Sequence, residues 1–295
     1  MRSKSKGTVK VGSLEDKHGH TIFESKEKAE ILNEFFGSVF TKEDTSQIPV
    51  AHPCFDISSA DILTDVYIDS DVIAKKLQNL RSDKAAGDDH LSPRFLKMIS
   101  QEIAVPLAII FRRSLDTGCI PYDWKTANVT PLHKKGSRSQ VENYRPVSLT
   151  SQLCKVLESV IRDELVNHLD KNSLLNTSQH GFRKGLSCSS NLLTFLESVT
   201  AHIDNKSDVD TVYLDLAKAF DKVPHQRLLQ KLKAHGIQGQ VCTWIEAWLS
   251  DRHQRVCLDG SFSTWRQVWS GVPTSLERSS AGVGAWTSFI FDIYQ

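Results

Sequence analysis

Apolar residues recur at intervals of three and four positions in seven stretches of the chain, which is the spacing of a helix with one buried face. The seven stretches are residues 25–40, 69–80, 93–116, 151–170, 187–205, 225–236 and 239–252. We expect Ser25 to cap the first helix and Pro106 to interrupt the third. Gly236 is expected to end the sixth helix.

Other stretches are rich in β-branched residues or in short apolar runs, a pattern that favours strands. Residues 126–138 and 144–150 predict two strands of a hairpin joined by a Lys-Lys-Gly turn. Residues 211–216, "TVYLDL", predict a buried strand, and 253–260 and 263–271 predict two more. The expected fold class is therefore α+β, with helices dominating the first two thirds and a small sheet that holds Asp215 and the strands of 253–270.

Composition places the chain among ordinary globular proteins, because 40% of its 295 residues are hydrophobic and 24% are charged. The net charge is only +1, so the whole molecule has no strongly basic character. Basic residues nevertheless outnumber acidic ones within 122–145. Such a local basic patch can bind phosphate groups without a high overall charge.

The six cysteines are widely separated, and none forms a pair or cluster with zinc-ligand spacing. The basic N-terminus lacks the apolar segment of a secretory signal, and no apolar run approaches the roughly 20 residues that span a bilayer. We therefore expect a protein that is intracellular, in the cytoplasm or nucleus, not secreted and without a membrane partner.

Asp215 is the most informative residue of the predicted strand, because an ionised carboxylate among apolar residues is costly unless it is paired or bound to a metal. Two interpretations remain open from the residues alone. Asp215 could cap the helix that follows the strand, or it could be a ligand for Mg²⁺, which binds carboxylates together with substrate phosphates.

Several segments, taken in order, resemble the reverse transcriptases of jockey-like non-LTR retrotransposons. The motif A of that family is similar to "LDLAKAFDKVPHQRLLQKLKAHGI", which contains Asp215. The matching segments are "KAEILNEFFGSVFT" (28–41), "DKAAGDDHLSPRFLK" (83–97), "WKTANVTPLHKKGSRSQVENYRPVSLTSQLCKVLE" (124–158), "QHGFRKGLSCSSNLL" (179–193) and "WIEAWLSDRHQRVCLDGSFSTWRQVWSGVP" (244–273). A single segment could match by chance, whereas the ordered series is specific.

The resemblance implies a right-hand polymerase fold with helical fingers and a partial palm sheet. It divides the chain into an N-terminal arm, helix and linker (1–66), fingers (67–205), a partial palm with motif A (206–273) and a tail that does not match (274–295). It also implies RNA-templated DNA synthesis, with an RNA template, a DNA primer, dNTPs and Mg²⁺.

The resemblance also assigns roles to individual residues. Asp215 would be the catalytic metal ligand, with the backbone carbonyl of Leu216 as a second ligand. Phe220 would exclude the 2′-hydroxyl of a ribonucleotide, although it could instead be a core aromatic residue. Lys134, Lys135 and Arg145 would bind the nucleotide, although the two lysines could simply be a solvated hairpin tip. The proposed template-binding residues are Gln179, Gly181, Phe182 and Arg183.

Arg183 has an alternative interpretation as a structural ion-pair residue. Asp221 is interpreted as a structural residue and not as a metal ligand.

The chain departs from the family at motif B, where "SGVP" (270–273) is not followed by Gln-Gly-Ser. An aromatic-x-Asp-Asp sequence, the motif C of the family, does not occur in the 295 residues, and the resemblance includes no thumb. The hypothesis from the sequence is therefore a C-terminally truncated and inactive fragment of a reverse transcriptase. The alternatives are a residual RNA-binding module or a relic product without function.

Overall fold

The computed structural model describes residues 11–50, 52–53, 62–181, 183, 185–215 and 217–272. Helices and strands both contribute to the fold, which confirms the α+β class. The predicted tail 274–295 lies outside the described residues, and so do Phe182 and Leu216.

Nine α-helices form in the described part of the chain, and all but α5 lie within the seven predicted stretches, extending at most one residue beyond them. They are α1 (Ser25–Ser38), α2 (Ser70–Gln78), α3 (Pro93–Met98), α4 (Ser100–Thr117), α5 (Tyr122–Lys125), α6 (Gln152–Lys171), α7 (Cys188–Asp204), α8 (His225–Ala234) and α9 (Gly239–Leu249).

The strands of the described residues form one main sheet and one small hairpin. The hairpin pairs β1 (Leu14–Glu15) with β2 (Thr21–Ile22). The main sheet contains β3 (Thr126–His133), β4 (Tyr144–Leu149), β5 (Arg252–Leu258), β6 (Ser261–Phe262) and β7 (Arg266–Val268). Strands β3 and β4 form the predicted antiparallel hairpin, while β5 joins β3 in parallel, with Ala127 opposite Gln254.

The larger hydrophobic core is built by helices α2, α4, α6, α8 and α9. Leu165 of α6 and Trp244 and Trp248 of α9 are completely buried there. The core draws on residues from both the predicted fingers range and the predicted palm range, so the boundary between these two domains stays a prediction.

A second core forms where α1 packs on the main sheet. Leu32 and Phe36 of α1 meet Val129 of β3 and Val256 and Leu258 of β5. Helix α1 is therefore an integral part of the fold and covers one face of the sheet. The cap predicted at Ser25 is wrong, because Ser25 is the first helical residue and Glu24 precedes it without a side-chain capping bond.

The interruption predicted at Pro106 is also wrong. The break lies at Ile99, between α3 and α4, and Pro106 is inside α4. Ala104, Leu107 and Phe111 are buried on one stripe of α4. Packing of this stripe holds the helix together across the missing backbone donor of proline.

The strand predicted at 211–216 does not form over its described residues, 211–215. Val212, Tyr213 and Leu214 are 80%, 82% and 90% exposed. A strand is stable only when its backbone groups pair with a neighbour, and none of the described strands pairs with this stretch. The main sheet is therefore made by the β3–β4 hairpin and 252–268, and it does not include Asp215.

None of the described helices is long and apolar enough to cross a membrane.

Candidate functional site

The turn that follows Asp215 is held in place by the segment that begins the motif B resemblance. Gly271 donates its backbone N–H to the carbonyl oxygen of Val223 at 2.8 Å, and Val272 donates to that of Phe220 at 3.1 Å. The hydroxyl of Ser270 donates to the carbonyl oxygen of Asp221 at 2.6 Å. Three consecutive residues, 270–272, therefore fix the backbone of 220–223.

Gly271 makes this close approach possible. Its φ of +82° lies in the left-handed region, and a β-carbon there would stand 2.6 Å from the carbonyl oxygen of Phe220. The same glycine accepts a hydrogen bond at its carbonyl oxygen from Nε2 of His225, at 2.8 Å. Burial lowers the pKa of His225, which favours the neutral ring in this contact.

A cleft of about 420 Å³ opens between this turn, the main sheet and α1. Three of its lining residues are exposed cations, Lys134, Arg145 and Lys218, which we call the rim. Its buried polar lining consists of Arg252, Gln254 and Ser270, which we call the floor.

The walls of the cleft are largely aromatic and come from separate parts of the chain. Phe35 and Phe36 come from α1, Tyr144 from β4 and Phe220 from the turn. Nζ of Lys218 lies 4.5 Å from the centre of the Phe35 ring, within the range of a cation–π contact. The cleft thus combines positive charge with flat apolar surfaces.

Two oppositely charged residues of the turn have their charged forms disfavoured by burial. Burial raises the pKa of Asp221, although the nearby Lys218 acts in the opposite direction. Partial desolvation of the largely exposed Lys218 likewise lowers its pKa. An anionic ligand at the rim would favour the charged form of Lys218, because an opposite charge nearby stabilises it.

The cleft unites three of the four predicted nucleotide-binding residues. Lys134, Arg145 and Phe220 all line it, although they are far apart in the sequence. Lys135 is exposed on the same hairpin but is outside the lining. The roles of these residues stay predictions, since their positions alone do not show a bound nucleotide.

The predicted catalytic residue lies apart from this arrangement. Asp215 is exposed and is not among the residues that line the cleft. Within the described residues, no group of three or more His, Cys, Asp or Glu is placed to hold a metal ion. Mg²⁺ requires near-octahedral oxygen coordination, and a single exposed carboxylate supplies only one such oxygen group, so the described residues do not by themselves fit the expected magnesium site.

The described members of the predicted template-binding set, Gln179, Gly181 and Arg183, follow the end of α6, and Phe182 lies outside the described residues. Gln179 is buried and Gly181 is exposed. Nη1 of Arg183 donates to the carbonyl oxygen of Asn176 at 3.1 Å, and Nη2 lies 3.8 Å from a carboxylate oxygen of Asp170. These contacts support the structural alternative for Arg183.

Sequence reasoning missed four residues that matter for the cleft, namely Lys218, Asp221, Gln254 and Gly271. The pattern carried a signal for Gln254, because it is a polar residue at a position where β5 alternates toward the core. The sequence gave a weaker signal for Gly271, which lies in the segment that resembles motif B. Nothing in the sequence indicated that Lys218 and Asp221 would lie beside a hairpin some 75 residues earlier.

Comparison with known proteins places this arrangement in a family. Residues 132–281 match the sequence profile of the reverse transcriptase (RNA-dependent DNA polymerase) family. The match covers half of the chain and includes every lining residue of the cleft from Lys134 onward.

Individual relatives give the same result. The chain is 31% identical over 191 residues to the RNA-directed DNA polymerase from mobile element jockey of Drosophila melanogaster, covering 64% of this chain and 21% of the relative. It is 29% identical over 208 residues to the probable RNA-directed DNA polymerase from transposon BS of the same species, covering 68% and 22%. A Pol polyprotein from the type-1 retrotransposable element R2 of Popillia japonica is 26% identical over 134 residues, covering 45% and 18%.

The chain spans about a fifth of the length of the first two of these relatives. The profile match covers the end of β3, the hairpin turn, β4 and the turn at 218–221, all of which border the cleft. The chain therefore belongs to the reverse transcriptase family and contains a reverse transcriptase domain of the non-LTR retrotransposon kind.

Proposed function

We propose that the domain serves RNA-templated DNA synthesis and that the cleft holds the incoming deoxynucleoside triphosphate. The observation that carries this proposal is the meeting of Lys134, Arg145 and Lys218 at the rim of one cleft. A triphosphate carries several negative charges, and Lys and Arg neutralise such charge while donating hydrogen bonds to phosphate oxygens.

The remaining walls suit the other parts of a nucleotide. Aromatic side chains offer flat surfaces on which a base or a sugar can pack. Phe220, fixed by the bond from Val272 to its carbonyl oxygen, is the wall that the family resemblance assigns to the sugar. In this proposal Phe220 excludes a 2′-hydroxyl.

Direct binding of dATP to the 295-residue protein, measured by calorimetry, tests the cleft. Lys134→Ala and Arg145→Ala are each expected to weaken binding by about threefold to tenfold, because each removes a charge-assisted contact at an exposed position. Lys135→Ala is the matched control, since Lys135 is adjacent but outside the lining. Equal effects of Lys134→Ala and Lys135→Ala would contradict a specific role for the cleft.

Primer extension tests the separate hypothesis, made from the sequence, that these 295 residues do not polymerise on their own. The assay contains an RNA template, a DNA primer, dNTPs and Mg²⁺. Incorporation that Asp215→Asn abolishes would refute inactivity and support Asp215 as a metal ligand. Binding of dATP without incorporation would support inactivity while leaving the cleft proposal intact.

A second candidate function is RNA binding by the exposed β3–β4 hairpin. Lys134, Lys135, Arg138 and Arg145 are all exposed on this one hairpin and its turn. Clustered cations of this kind bind the phosphate backbone with strong salt dependence. Titration with a single-stranded RNA at low salt tests it, and a failure to bind there would exclude the RNA-binding module.

A further inference from the structure

Strand β5 places two polar residues on a face that elsewhere belongs to the core. Its buried residues alternate along the strand as Arg252, Gln254, Val256 and Leu258. Val256 and Leu258 pack in the core under α1. Because the alternation is strict, Arg252 and Gln254 are buried on the same face as those two core residues.

The two polar residues differ in how their groups are satisfied. Arg252 donates from Nη1 to the carbonyl oxygen of Trp248 at 3.3 Å. Its guanidinium carbon also lies 5.0 Å from the centre of a ring of the Trp248 indole. Gln254 is 5% exposed, and its Nε2 has no hydrogen-bond partner in the part of the chain that the structure describes. An unpaired buried amide is costly, so a fold that keeps one in a cleft lining points to a ligand that pairs with it.

Gln254 lies well away from the two hairpin cations of the rim, Lys134 and Arg145, along the sheet. It is opposite Ala127 in the parallel pairing of β3 and β5, whereas Arg145 is opposite Leu132 in the hairpin. Ala127 and Leu132 are five residues apart on β3, which corresponds to about 16 Å along an extended strand. Phosphates held by Lys134 and Arg145 therefore leave the nucleoside end of a ligand as the part that can extend toward Gln254.

We infer that the amide of Gln254 donates a hydrogen bond to an acceptor on the nucleoside part of the bound nucleotide, and so distinguishes a nucleotide from a bare polyphosphate. This inference rests on the proposed nucleotide cleft. The terminal side-chain torsion of glutamine is soft, so a small rotation of the amide presents its N–H to the ligand.

Two probes separate the nucleoside contribution from that of the phosphates. Binding of dATP and of inorganic tripolyphosphate is measured by calorimetry for the unmodified protein and for Gln254→Met, which keeps the length of the side chain but removes the donor. We expect dATP binding to weaken by about tenfold, which is the loss of one hydrogen bond. Tripolyphosphate binding is expected to stay unchanged.

The thermal stability of the unliganded protein distinguishes this role from a purely structural one. Replacing an unsatisfied buried amide with an apolar side chain of similar shape removes a desolvation cost, so Gln254→Met should unfold at the same temperature or higher. If Gln254 had a purely structural role, Gln254→Met would instead lower the unfolding temperature. Gln267→Met is the matched control, because Gln267 is a half-buried residue of the adjacent β7 and does not line the cleft.

Failure of the inference and failure of the proposed function give different results. If the unmodified protein binds dATP and Gln254→Met binds it equally well, or unfolds at a lower temperature, the role of Gln254 is overturned and the cleft proposal survives. A parallel loss of dATP and tripolyphosphate binding in Gln254→Met would also overturn it. If the unmodified protein binds neither probe, the nucleotide cleft and the role of Gln254 are both overturned.

Discussion

Gly271 shows how a single residue can hold the turn beside the cleft in place. Its position combines a left-handed φ of +82° with backbone atoms of Phe220 and Asp221 closer than 3 Å to any added β-carbon. Both restrictions select glycine, which has no β-carbon and adopts this region at no steric cost. The turn residues Phe220 and Asp221 thus depend on a residue some 50 positions later.

Gly271→Ala is expected to destabilise the protein by about 2–4 kcal/mol, because it adds a steric clash to the cost of a left-handed alanine. Gly260→Ala is the control, since Gly260 has a φ of +79° but no atoms within 4 Å of an added β-carbon. That variant should lose only about 1–2 kcal/mol. Urea denaturation measures both values, and equal losses would show that the contact with the 220–223 backbone is not tight in solution.

Asp221 gives the turn a pH-dependent stability. Its pKa in the folded protein is raised above the ordinary value of 3.8 by burial, so the folded state binds the proton more tightly than the unfolded state. The contribution of Asp221 to the free energy of unfolding must therefore decrease as the pH rises from 3.8 through the raised value. Lys218 opposes this effect without cancelling it.

Asp221→Asn should remove that decrease. Its free energy of unfolding relative to the unmodified protein is expected to increase as the pH rises through this window, measured by urea denaturation from pH 4 to pH 7. Asp210→Asn is the control, because Asp210 is exposed and outside the cleft lining. A constant difference between Asp221→Asn and the unmodified protein across the window would contradict the assignment.

At the scale of elements, periodicity predicted the helices and the β3–β4 hairpin because those elements carry their own hydrogen bonds or pair with a close neighbour in the sequence. It failed at 211–215, where the apolar run "TVYLD" suggested a buried strand. Whether an apolar run becomes a strand depends on a partner elsewhere in the chain. The candidate site was predictable to the same degree. Lys134, Arg145 and Phe220 were identified from motifs, whereas the sequence pattern gave only a partial signal for Gln254 and Gly271, whose roles depend on long-range contacts.

Helix α7 is a second element in which the burial expected from the sequence differs from the burial observed. Its periodicity predicts a buried face, yet none of its residues is buried in the described structure. Leu193 is 67% exposed, while Leu165 of α6 is fully buried. A helix in this situation is stabilised by its own hydrogen bonds and by its capping box at Ser187 and Ser190.

The two leucines therefore make a matched pair of substitutions. Leu165→Ala is expected to cost about 2–5 kcal/mol, because it leaves a cavity in the larger core. Leu193→Ala should change the stability by less than about 0.5 kcal/mol. Chemical denaturation of both variants decides the matter, and a large loss for Leu193→Ala would show that α7 is covered in solution.

For the molecule as a whole, the location of the charged residues matters more than the net charge. A net charge of +1 provides little long-range attraction for nucleic acid. The β3–β4 hairpin nevertheless concentrates exposed cations, some at the rim of the cleft and others, Lys135 and Arg138, outside its lining. If the proposed function holds, Lys134 and Arg145 would contact the nucleotide while Lys135 and Arg138 contact the backbone of a nucleic acid.

The salt dependence of RNA binding measures that second contact directly. Removing one phosphate–cation pair lowers the slope of log K against log salt by about 0.7 for a single strand, so Lys135→Ala combined with Arg138→Ala should lower it by about 1.4. Lys75→Ala combined with Lys97→Ala is the charge-matched control, because these exposed lysines lie on α2 and α3. The expected outcome is a reduced slope for the hairpin pair with dATP binding retained, since neither residue lines the cleft. Equal slopes for the two double variants would mean that RNA binds elsewhere or through general charge alone.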